Sequence, residues 1–214
     1  MKFSIGITTA ERQQPTLERC ILSYSKAFST KCTIFAEPNV DKIKTDNNWI
    51  SRDMYHGCWT NWAYSLQDLF VNEPGADYYC IFQDDIVFCR NVEEYLESIE
   101  LPKIFSIFKP NIYLKNEDIW SKQDRGAKLW MAQTLFIHTS LVQSLLNDKM
   151  AWKVPGNKQI DNRVGRWAKE KGQQVYYHCP SLCQHIGETS TIWNSNLSGY
   201  RSADDFVGED FVYL

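Results

Sequence analysis

Tyr78-Tyr79-Cys80-Ile81-Phe82-Gln83-Asp84-Asp85 is the stretch that decides the fold. Tyr78 to Phe82 is apolar throughout, the pattern of a central strand covered on both faces in a parallel sheet. Directly after it come Gln83 and two adjacent aspartates. Neighbouring carboxylates beside a buried strand are costly unless something compensates them. A divalent cation would do so, because Mg²⁺ and Mn²⁺ prefer oxygen ligands and leave positions for substrate phosphates. The plainer reading is a turn or helix-cap pair, since aspartate is common in turns.

Outward from this segment the chain alternates. Lys2 to Thr8 is a short β-branched run that ends in the polar turn Thr8-Thr9-Ala10-Glu11-Arg12. Pro15 suits the first turn of a helix reaching Ala27. Thr33 to Ala36 predicts a second buried strand, ended by Glu37-Pro38, and Asn39 to Asp53 is a polar stretch read as loop with a short strand. Gly57 opens a helix carrying Trp62, Leu66, Leu69 and Phe70 at helical spacing. Strand, helix, strand, helix, strand is the rhythm of a parallel sheet with helices on both faces. Ligands in such sheets bind beyond the carboxyl ends of the strands, and three polar turns fall there: Thr8 to Arg12, Glu37, and Gln83 to Asp85.

The second half predicts a helix over Val92–Ile99, strands over 104–108, near Tyr113 and over 129–138, and a helix over 141–146. An amphipathic helix follows from Ile160 to Lys171, closed by Gly172, and then a strand over 174–177. No repeat or low-complexity linker interrupts the 214 residues, so one α/β domain is expected, with residues 1–90 as a nucleotide-binding half and 91–214 as an acceptor and sugar half. The formal charge of −3, without a basic run, argues against a nucleic-acid partner. No segment approaches the roughly 20 apolar residues of a membrane span. The N-terminus reads as a strand, too short in apolar length for a signal peptide. Seven cysteines, an odd number without framework spacing, predict a reduced, cytoplasmic setting. On that reading the sequon Asn196-Leu197-Ser198 is a chance match.

The segments SIGITTAER, TIFAEP, GCWTNWAYSL and YYCIFQDDIVF, in this order, resemble the GT-A superfamily of glycosyltransferases, the last being similar to its DxD-type metal motif. A second match, PSLCQHIGETST, resembles the segment in which a histidine completes the metal site. The resemblance covers about residues 2–191. It implies a mixed, mainly parallel Rossmann-like sheet and transfer of a hexosyl or deoxyhexosyl group from a UDP-sugar to a glycan or other hydroxyl acceptor. It implies Mn²⁺ or Mg²⁺ held by Asp85 and His185, with Asp84 and Gln83 on ribose, sugar or metal-bound water. Gln83 departs from the pattern, where Asp or Glu is usual. Thr8, Thr9 and Arg12 would hold the nucleotide, Glu37 and Asn61 its base or ribose, and Gly187, Ser190 and Thr191 the diphosphate. A narrower resemblance is to glycosyltransferase domains at the N-terminus of large chlorella-virus proteins. It implies a viral protein in the host cytoplasm, fused to further domains.

Inverting transfer needs a base on the acceptor hydroxyl. Asp161 is the candidate, although an aspartate at a helix N-terminus is favourable in its own right. Arg125, Gly126, Trp130 and Gln133 are candidates for the sugar and acceptor side. His178, Cys179, Cys183 and His185 have zinc-ligand chemistry, but four ligands within eight residues would force a very tight loop. Two other functions compete. A phosphodiester hydrolase would use Asp84, Asp85 and His185, but such sites gather more ligands than four histidines in all would supply. A non-catalytic sugar-binding module would use the many aromatics and need no diphosphate site.

Overall fold

The computed structural model describes residues 1–110, 119–122, 129, 131–153, 160–188 and 201–213. The strand expected near Tyr113 and the candidates Arg125, Gly126 and Trp130 lie outside the described residues. Among the described residues, ten strands and six helices follow one another as β1 (Phe3–Thr9), α1 (Leu17–Ala27), β2 (Thr33–Ala36), β3 (Asn48–Ser51), α2 (Gly57–Asn72), β4 (Tyr78–Gln83), β5 (Ile86–Phe88), α3 (Val92–Glu97), β6 (Ile104–Ser106), β7 (Trp120–Lys122), β8 (Thr134–His138), α4 (Thr139–Leu146), α5 (Lys149–Lys153), α6 (Ile160–Glu170), β9 (Tyr176–His178) and β10 (Cys183–His185).

Eight strands form one sheet in the order β3-β2-β1-β4-β8-β6-β9-β7. The pairs among β3, β2, β1 and β4 are all parallel. Strand β8 runs antiparallel to both β4 and β6, β9 returns parallel to β6, and β7 closes the edge antiparallel. The architecture is thus a mixed, mainly parallel, Rossmann-like α/β sheet. Alternation along the strands feeds two cores. Phe3, Ile5, Ile7, Cys80, Phe82 and Phe136 face the side covered by Leu17, Cys20 and Tyr24 of α1. Phe35, Tyr79, Ile81, Leu135 and Ile137 face Trp62, Leu66 and Leu69 of α2 and Val164 and Trp167 of α6. Burial on both faces is why Tyr78 to Phe82 carries no polar alternation.

Most element boundaries agree with the sequence within a few residues. The helix after Pro15 begins at Leu17, and the long apolar run 129–138 is strand only from Thr134. The late strand is displaced to Tyr176–His178, because Gly172, at φ +62°, follows α6 and three further residues precede the pairing with β6. Three short strands, β5, β7 and β10, carry too few residues for a periodic signal. Among the described residues no helix is long and apolar enough to cross a membrane, and all seven cysteines are free thiols.

His178 ties the far end of the sheet together. Its Nδ1 lies 2.6 Å from the Pro180 carbonyl, which can only accept, so Nδ1 carries the proton. Its Nε2, at 2.9 Å, then accepts from the Tyr95 hydroxyl of α3. Trp120 and Tyr213 pack edge-on against the ring. Burial pushes His178 down to about 4, only partly offset by the Pro180 hydrogen bond. The imidazole is therefore neutral in the fold, and it has no nitrogen left for a zinc ion.

The consequence for stability follows by linkage. Above pH 6.5 the histidine is neutral folded and unfolded. As pH falls through 6.5 only the unfolded chain takes up a proton, so stability drops until about pH 4, where the folded state protonates too. Chemical denaturation at pH 7.5 and 4.5 is expected to show wild type losing on the order of 2–3 kcal/mol more than His178→Gln. Equal losses would show that His178 is not a titrating part of the fold.

Candidate functional site

The carboxyl ends of the four parallel strands lie in one row. Thr9 is level with Ala36, Ala36 with Ser51, and Thr8 with Gln83. Strand β1 has β2 on one side and β4 on the other, while α1 and α2 cover opposite faces of the sheet. The crevice at this reversal is where open α/β sheets bind ligands. It is lined by Thr8, Thr9, Arg12, Glu37, Asn61, Gln83, Asp84 and Asp85, all singled out in the sequence, and by Tyr55, Cys58 and Arg201, which were not.

Asp84 and Asp85 are both buried. Arg12, from the loop after β1, bridges them. Its Nη2 and Nε bind Asp84, the latter at 3.2 Å, and its Nη1 lies 3.0 Å from Asp85 Oδ2. Thr9 Oγ1 donates to Asp84 Oδ2 at 2.5 Å. Burial pushes the Asp84 carboxyl above its usual range, with Arg12 opposing and Asp85 adding to the rise. For Asp85 burial is again the largest single influence, but Arg12 and His185 together outweigh it and hold the carboxyl below the usual range. Burial alone would lower the Arg12 guanidinium, yet the two carboxylates hold it above its ordinary value and charged. Removing Arg12 would leave buried charge uncompensated, at a cost on the order of 3–5 kcal/mol.

His185 arrives from the other end of the chain. Strand β10 pairs antiparallel with β5, so His185 stands opposite Ile86, next to Asp85. The ribbon is extended by Ile186 N–H donating to the Asp85 carbonyl at 2.8 Å. His185 Nε2 is then 3.1 Å from Asp85 Oδ2 across 100 positions of sequence. Gly187 completes the turn. A Cβ there would sit 2.9 Å from Asp85 Oδ2 and 3.1 Å from His185 Nε2, so only glycine lets the backbone pass so close.

Other expectations acquire specific surroundings. Glu37 spends its carboxylate on the N-terminus of α2, accepting from His56 and Gly57 N–H at 2.9 Å each. Asn61 accepts from Arg52 Nε at 3.0 Å and donates to the Phe35 carbonyl at 3.3 Å. Both therefore line the crevice wall with groups that already hold hydrogen bonds to the α2 terminus, Arg52 and the Phe35 carbonyl. Thr8 Oγ1 donates to Phe82 O at 3.2 Å. Asp161 lies in the first turn of α6 and accepts from Met131 N–H at 3.2 Å. Burial raises its carboxyl, with Arg201 among the groups pulling it back. Cys58 is pushed up to about 12 by burial, then by Asp161 and Asp85, which leaves it a neutral thiol. Gln133, expected on the acceptor side, is buried, and its carbonyl receives the Gln83 N–H at 2.9 Å. Ser190, Thr191 and the sequon at Asn196 lie outside the described residues.

The donor set fits a divalent cation. Asp85 Oδ1 is buried without a hydrogen-bond partner, the other oxygen of the same carboxylate adjoins an imidazole, and glycine keeps the space beside them narrow. Among the described residues no three His, Cys, Asp or Glu side chains cluster as a metal site. Two protein donors would leave the remaining positions to water and substrate oxygens, as Mg²⁺ sites do.

Tyr55, 74% exposed, stands at the crevice mouth, and Arg201 enters from the C-terminal segment. Neither carried a sequence signal, since both sit in stretches without periodicity. No family model matches the chain, and no curated protein matches it.

Gly187→Ala tests the close approach. The added methyl is expected to destabilise the protein by about 1–3 kcal/mol, read as a lower denaturation midpoint. An unchanged midpoint would mean that Asp85 and His185 have room to shift.

Proposed function

We propose that this chain is a metal-dependent glycosyltransferase moving a sugar from a UDP-sugar to a hydroxyl of a glycan acceptor. One observation carries the reading: a short ribbon sets His185 against Asp85 at the strand-order reversal, beside the Thr8-to-Arg12 loop. A carboxylate and an imidazole at the mouth of a parallel sheet suit a cation that also grips a diphosphate. The finer fold assignment, GT-A, belongs to the same proposal, as do UDP as the nucleotide and a viral origin within a longer protein. UDP is preferred because metal-dependent members of that superfamily commonly use it.

In this reading Asp85 and His185 hold Mn²⁺ or Mg²⁺, which when bound offsets charge developing on the departing diphosphate. Thr9 fixes the rotamer of Asp84, whose carboxylate faces the ribose or sugar hydroxyls. Gln83 offers an uncharged amide to the same hydroxyls, so the ligand burden falls on Asp85. Tyr55 gives a flat apolar face with a polar edge at the rim, suited to a base or a pyranose. Asp161, in the first turn of α6 with its carboxyl raised by burial, is the proposed group that takes a proton from an acceptor hydroxyl in inverting transfer.

Calorimetric titration with UDP separates this reading from its rivals. Binding is expected with Mn²⁺, and Asp85→Ala is expected to abolish it. If no nucleoside diphosphate binds the wild type with any divalent cation, the proposal is wrong. Slow hydrolysis across a panel of UDP-sugars then identifies the donor. Asp161→Asn is expected to cut turnover by ~100-fold or more while leaving UDP affinity nearly unchanged. An unaltered rate removes Asp161 as the base.

A further inference from the structure

The crevice is small for its proposed ligand. Its enclosed part holds about 80 Å³, below the roughly 300–1,000 Å³ usual for small-molecule sites. A second cavity of about 450 Å³ lies directly behind it, lined by Glu11, Pro15, Leu17, Val40 and Asp41 among others. Thr9, Ala10, Arg12 and Asp84 line both. They are the partition, and Arg12 is its one long side chain. Joined, the two spaces fall inside the range of a ligand site.

The same guanidinium stands in the way of a cation. Asp85 Oδ2 already receives Arg12 Nη1 at 3.0 Å and His185 Nε2 at 3.1 Å. A metal ion binding Asp85 and His185 would meet a positive group on the same carboxylate. Two cations on one buried carboxylate repel strongly where water is scarce. Entry of the metal therefore requires Arg12 to leave Asp85, and a guanidinium leaving a buried carboxylate needs another anion. A diphosphate is such an anion, and its oxygens can accept the planar guanidinium through two parallel hydrogen bonds.

We propose that Arg12 is a positioning residue that stands in for the divalent cation on Asp84 and Asp85. It yields when metal and diphosphate arrive together, passing to the diphosphate and opening the partition between the two cavities. This rests on the glycosyltransferase reading above and adds to it a rule of assembly. The protein by itself disfavours the bare cation and accepts it only with the nucleotide. Thr9 keeps its bond to Asp84 through the exchange, so Asp84 does not follow Arg12.

The test counts bound Mn²⁺ by the loss of the free-ion electron paramagnetic resonance signal, with no substrate turnover involved. Wild type, Arg12→Lys and Arg12→Met are titrated with Mn²⁺ alone and with UDP present. Wild type is expected to bind Mn²⁺ alone weakly and at least about tenfold more tightly with UDP, a difference of about 1.4 kcal/mol. Arg12→Met is expected to bind Mn²⁺ alone at least about tenfold more tightly than wild type, and Mn²⁺ should raise its thermal midpoint more than that of wild type. Arg12→Lys, keeping the charge, should stay close to wild type. If Arg12→Met does not fold, Arg12→Met/Asp84→Asn compared with Asp84→Asn carries the same comparison with one buried carboxylate fewer. Should Arg12→Met bind Mn²⁺ alone no more tightly than wild type while wild type still binds Mn²⁺ and UDP together, the stand-in role is refuted and the glycosyltransferase reading stands. If wild type binds neither, both fall.

Discussion

Two adjacent carboxylates buried at the end of a central strand are the constraint on which the rest of the site depends. Strand β4 must be apolar to lie between two cores, and its carboxyl end delivers Asp84 and Asp85 into a region with little water. Ionised there, they require a counter-charge within a few ångströms. Arg12 supplies it, reaching back from the loop after the neighbouring strand, and His185 comes in along a separate ribbon as a hydrogen-bond partner of Asp85. Parallel pairing of β1 and β4 makes the first possible, because it sets the Thr8-to-Arg12 loop level with the aspartates.

The same constraint explains why the crevice walls are so thoroughly hydrogen-bonded. Glu37 holds the start of α2, and Asn61 is held by Arg52, which also reaches Asp68 at 2.8 Å and Ser65 at 3.2 Å and lies over the Phe35 ring. These contacts fix the β2 and α2 side of the crevice independently of Arg12. A movement of the guanidinium can then change the space beside that wall without moving the wall itself.

The first half of the fold was legible in the chain because its strands are buried on both faces and its helices are long enough for periodicity to show. Thr33 to Ala36 and the start of α2 at Gly57 appear where the residues place them. The pairing of Asp85 with His185 was legible from residue type and a family resemblance, yet its cause was not. Strands β5 and β10 have three residues each and no turn between them, so nothing local announces their pairing. The salt bridges of Arg12 were equally hidden, since a single arginine in a polar loop reads as a solvated charge. The hydrogen bonds of Glu37 to a helix end and of Asn61 to Arg52 were hidden as well, because they depend on tertiary proximity alone.

The β5–β10 ribbon has a temporal meaning as well. A chain leaving the ribosome presents β1, α1, β2, α2 and β4 early, and these can begin to pack as a unit. Arg12, Asp84 and Asp85 all belong to this early stretch, whereas His185 and Arg201 come about 100 residues later. The charge balance of the acidic site is thus encoded within one continuous segment of chain, and only its imidazole is brought from afar.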